Sequence, residues 1–135
     1  MDLARAHRFI GAAALLTFLA TGFYLRAGLP EPEGGGLVIH FAARANHIYI
    51  LLAALLNGAL GLYLSPRPRG RTQRAGSVLV LLAPVVLTAA FIAEHATASL
   101  WRPLTMAGIF CVALGMALHA LSGRPGARGQ APRPV

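Results

Sequence analysis

Four long apolar blocks, separated by stretches rich in Gly, Pro and Arg, constrain this 135-residue chain more than any other feature. They cover residues 9–25, 45–64, 75–93 and 104–121, each close to the roughly 20 residues that cross a bilayer as a helix. The first is interrupted by Thr17, Thr21 and Tyr24 and the third by Ser77 and Thr88, so neither sets a charge at its centre. A charge there costs about 2.5–3.5 kcal/mol on insertion scales. Backbone groups in lipid must be satisfied within the segment, and blocks of this length read as helices rather than as the short alternating strands of a barrel. The chain is therefore predicted to be an all-α integral membrane protein, with residues 1–123 forming four transmembrane helices in an antiparallel bundle.

Arg5 and Arg8 ahead of the first block resemble the basic start of a signal peptide. The apolar part exceeds the usual roughly 7–15 residues, however, and no small-x-small cleavage site follows, so a retained helix is expected. The segment 124–135, "RPGARGQAPRPV", reads as a basic, disordered cytoplasmic tail.

Charge sets the expected orientation. The chain is 56% hydrophobic and 12% charged, and its 12 basic residues are all arginine. Arg5, Arg8, Arg67, Arg69, Arg71, Arg74, Arg124, Arg128 and Arg133 share one side of a four-span chain; Arg26, Arg44 and Arg102 lie on the other with Glu31, Glu33 and Glu94. The positive-inside rule then places both termini in the cytoplasm, and the plain four-span layout suggests a bacterial inner membrane. Anionic lipids suit "SPRPRGRTQR", and further membrane subunits or a second copy are possible partners. Nucleic acid is not expected, because no aromatic or base-reading motif accompanies the arginines.

The single cysteine, Cys111, excludes an internal disulfide and a CxxC metal site. No nucleotide-binding loop, GxSxG elbow, HExxH or CxxCH motif is present, so enzymatic chemistry has little support.

Helical projection gathers the remaining polar residues. His40, Arg44 and His47 share a stripe that continues through Ala54, Gly58 and Gly61, while Asn46 and Asn57 lie on another, placed to hydrogen-bond to a different neighbour. His7, Gly11, Ala14 and Phe18 align on the first helix, Pro84, Thr88, Phe91 and His95 on the third, and Gly108, Cys111, Gly115 and His119 on the fourth. Pro84 has no amide hydrogen to donate, so it releases a backbone acceptor near the middle of the third helix and introduces a kink that neighbouring helices must accommodate.

Two candidate sites follow. An outer polar cluster combines His40, Arg44, His47, Glu94 and His95. An Arg44–Glu94 ion pair joining helices two and three is its plainest use. The same cluster offers His47 and His95 as axial ligands for haem b, His40, His47, His95 and Glu94 as a copper or zinc set, or Arg44 as the anchor of an anion, quinone or lipid. His7 and His119 form a second candidate pair of axial haem ligands at the inner side. The leading expectation is a non-enzymatic accessory or assembly component. A haem b or quinone-linked redox component, and a small-solute transporter or lipid-handling protein, are the alternatives.

Overall fold

A computed structural model describes residues 2–28, 36–64, 70–94 and 101–122. These form helices α1 (Leu3–Gly28), α2 (Gly36–Tyr63), α3 (Arg71–Glu94) and α4 (Pro103–Ser122). All four are long and apolar enough to cross a membrane, as the blocks predict. The residues expected to form the tail, 124–135, lie outside the described residues, and so does His95.

The helices extend past the apolar blocks. α2 begins at Gly36, so His40, Arg44 and His47 all lie in its N-terminal half. No Gly or Pro interrupts 37–57, and its Leu, Ala and Arg residues are good helix formers. The 28 residues of α2 run about 42 Å at 1.5 Å per residue, against about 30 Å for the 20 residues of α4. The longer helix outreaches a hydrocarbon core of roughly 30 Å, leaving its polar turns room in a headgroup layer.

Glycines bring the helices together in pairs. A Cβ added to Gly11 of α1 would lie 2.8 Å from the Gly58 backbone nitrogen of α2, and one on Gly61 would lie 2.8 Å from the Arg8 nitrogen. Gly76 of α3 and Gly115 of α4 meet in the same way, each potential Cβ falling 2.8 or 2.9 Å from the other's carbonyl oxygen. Such approaches exclude any side chain, and backbone contact through small residues is how helices gain packing in lipid.

α2 and α3 form the seam between the two pairs. Its core comprises Ile50 and Ala53 of α2, Ala83, Leu87 and Phe91 of α3, and Val112 of α4, with Phe18 and Leu25 of α1 packed against it. Phe9, Phe23, Leu55, Val85, Ile92, Met106 and Phe110 are exposed on the outer faces. Apolar surface distributed around all four helices suits a lipid solvent.

Candidate functional site

The central polar feature draws one side chain from each helix: His7 of α1, Asn57 of α2, Ser77 of α3 and His119 of α4. Its organisation starts with Pro84. In a regular helix the amide of residue 84 would donate to the carbonyl of Val80, and proline has no such hydrogen. The buried Asn57 supplies the missing donor, its Nδ2 lying 2.9 Å from the Val80 oxygen. The same Nδ2 donates to the Ala53 oxygen at 2.9 Å, which uses both amide hydrogens. The Asn57 Oδ1 then accepts from His7 Nδ1 at 2.7 Å.

That arrangement fixes the His7 tautomer. An amide oxygen only accepts, so Nδ1 carries the hydrogen and Nε2 of the neutral ring carries a lone pair. His7 is 0% exposed, and its Nε2 has no hydrogen-bond partner. Across the interior, the His119 ring lies 6.4 Å from the His7 ring, centroid to centroid, at an interplanar angle of 67°. His119 Nε2 is within hydrogen-bond distance of Ser77 Oγ, 3.2 Å away. The inner pair expected from the sequence, His7 and His119, is thus brought together.

The expected outer cluster is distributed differently. His47 turns to α1, where its ring stacks on Phe18 at 4.1 Å and its Nδ1 lies 2.9 Å from Thr21 Oγ1. The Thr21 hydroxyl donates to the carbonyls of Thr17 and Phe18, at 2.9 and 3.0 Å, so its oxygen accepts from His47 Nδ1. Gly22 makes space for this ring, since a Cβ there would stand 3.1 Å from His47 Cε1. His47 borders a groove of about 250 Å³ that Arg26 and Phe23 also line. His40 is half-buried and Arg44 is exposed.

Glu94 faces α4, and the expected Arg44–Glu94 ion pair is not formed. Its carboxylate accepts from the Leu104 amide at 2.7 Å, the Thr105 amide at 3.1 Å and the Thr105 hydroxyl at 2.7 Å. These amides belong to the first turn of α4, where no intrahelical acceptor is available and negative charge is favourable. Arg102 reciprocates by donating through Nη2 to the Glu94 carbonyl at 2.7 Å, at the last turn of α3. Short-range capping across the α3–α4 connection thus claims the carboxylate, while Arg44 points outward from α2.

This assignment has a measurable consequence. Glu94→Ala is expected to lower stability by about 1–2 kcal/mol, the scale of a lost helix cap. Arg44→Ala should stay within about 0.5 kcal/mol, as for an exposed residue. Thermal unfolding in detergent should show Arg44→Ala and Glu94→Ala to be additive within about 0.3–0.5 kcal/mol, whereas Glu94→Ala and Thr105→Ala are coupled. Coupling in the first pair would restore the α2–α3 ion pair.

Among the described residues, no three His, Cys, Asp or Glu side chains converge on a metal-sized site. Of the expected outer haem and metal ligands, His95 lies outside the described residues, and His47 is engaged by Thr21 and Phe18. Residues that sequence reasoning passed over include Ser77, Thr21 and Arg102. For Asn57 the sequence predicts a hydrogen bond to some neighbouring helix but not its partners, which are His7 of α1 and the Val80 carbonyl of α3. No model of a known protein family, no curated protein and no solved structure matches the chain.

Proposed function

We propose that the protein is a small multi-pass component of the bacterial inner membrane, an antiparallel four-helix bundle with both termini cytoplasmic, serving as a non-enzymatic accessory or assembly subunit. The antiparallel reading is supported by the order of contacts: Arg8 meets Gly61 and Thr21 meets His47, while Gly76 meets Gly115 and Glu94 meets Leu104. The arginine-rich 65–74 connection supports the orientation.

The observation that carries the functional reading is where the polar groups are used. Asn57 closes a joint among three helices, and Glu94 and Arg102 cap one another's helices. Between these ends lies the apolar seam of Ile50, Ala53, Ala83, Leu87 and Phe91. Such a packed belt suits a rigid membrane element better than a polar conduit.

Reporter fusions within 29–35 and 65–69 should place the first segment outside and the second inside. The reverse result would invert the orientation. In sealed vesicles, the purified protein should leave proton and potassium flux at the level of empty vesicles. A flux well above that level and abolished by His7→Ala would replace the accessory reading with transport.

A further inference from the structure

We propose that His7 and His119 form a binding site for one cuprous ion at the end of the bundle where α1 begins. Four observations on these side chains converge on it.

First, His7 Nε2 is a fully buried acceptor with no partner. Leaving such a group unsatisfied costs about 1–3 kcal/mol, so its retention calls for a ligand. Second, the other ring nitrogen is held by Asn57, which is itself held by the Ala53 and Val80 carbonyls. A histidine that spends one N–H on a fixed acceptor and offers the opposite lone pair has the outer-sphere support typical of a metal ligand. Third, His119 Nε2 lies 3.2 Å from Ser77 Oγ, a hydroxyl able to accept from it. When the Ser77 oxygen accepts from Nε2–H, Nδ1 becomes the free lone pair of that ring.

Fourth, the spacing fits. Two metal–nitrogen bonds of about 2.0 Å, added to the two ring radii, span roughly 6 Å. The observed separation of the ring centroids is 6.4 Å. His119 is only partly buried, which gives the ion an access route past its ring from the end of the bundle.

The donor set selects the ion. Calcium and magnesium require several oxygen ligands, and zinc generally takes three or four protein ligands. Among the described residues, no third His, Cys, Asp or Glu joins this pair. Cuprous copper accepts imidazole and is stable with two or three ligands, so two neutral rings suffice, with the Ser77 hydroxyl nearby. Its single charge is also the smaller burden, since among the described residues no carboxylate joins the pair to neutralise it.

The test is anaerobic loading of the full-length protein in detergent with Cu(I), followed by competition with the chromophoric chelator bicinchoninate. One copper per chain is expected to resist transfer, with X-ray absorption reporting two or three nitrogen or oxygen ligands and no sulfur. His119→Ala should weaken retention by about tenfold or more, and His47→Ala should leave it unchanged. His7 also takes part in the Asn57 joint, so His119→Ala is the primary variant and the wild-type absorption spectrum is a readout independent of any substitution. Wild-type copper lost to the chelator as readily as from His119→Ala, or sulfur ligation, would overturn the site. So would a Soret band on haem addition that disappears in His119→Ala, because it would assign the pair to haem instead.

Discussion

Asn57→Ala is expected to destabilise the bundle by about 2–4 kcal/mol, the largest effect of any single truncation in the polar core. Individual interhelical hydrogen bonds in lipid average only about 0.6 kcal/mol, so the estimate rests on what the truncation leaves behind. Removing the carboxamide orphans the His7 Nδ1 hydrogen and the Val80 carbonyl together, both in the interior. Pro84→Ala provides the control. An alanine at 84 restores the amide that a regular helix directs at Val80, so the double variant should be less destabilised than the sum of the single variants by about 1 kcal/mol. Equilibrium unfolding in mixed micelles measures all three. Strict additivity would mean that the proline and the carboxamide are unrelated.

Gly115→Ala is expected to cost about 1–3 kcal/mol, from overpacking. Its new Cβ would meet Val80 Cγ2 at 2.6 Å and the Gly76 carbonyl oxygen at 2.9 Å. The valine can rotate, but the carbonyl belongs to the facing backbone, so α3 and α4 must separate. Gly58→Ala is the counterpart on α2, where an added Cβ meets nothing within 4 Å. There the substitution should be neutral or stabilising by up to about 1 kcal/mol, through helix propensity alone. Equal effects of the two substitutions on thermal stability would contradict the close α3–α4 approach.

The helices were legible because length and apolarity decide what can cross a bilayer, and those properties are local. So was the buried face of α1, where His7, Gly11 and Ala14 turn inward on the predicted stripe. The acceptor released by Pro84 could be anticipated from proline chemistry. Its donor could not, because choosing Asn57 over Asn46 requires the relative height of α2 and α3. Asn46 is also buried, yet neither its Oδ1 nor its Nδ2 has a partner.

Glu94 illustrates the limit from the other direction. Sequence reasoning paired it with the formal charge of Arg44. The carboxylate instead found the unpaired amides of a helix that begins a few residues later. Local chain connectivity brought those donors within reach before any distant charge, and charge counting gives no weight to backbone hydrogens. His47 likewise turned toward Thr21, a hydroxyl in an apolar block whose own donor was already occupied by its helix.

The Val80 carbonyl also acts as a registration mark. Apolar helix faces in lipid have little to stop one sliding along another, since tails and side chains are alike in polarity. A displacement of α2 along α3 by one turn, about 5.4 Å, would carry Asn57 to carbonyls already bonded within their helix and leave Val80 bare. The missing hydrogen of one proline thereby sets the height at which the two helix pairs lock. It does so by making a single backbone oxygen on α3 different from its neighbours.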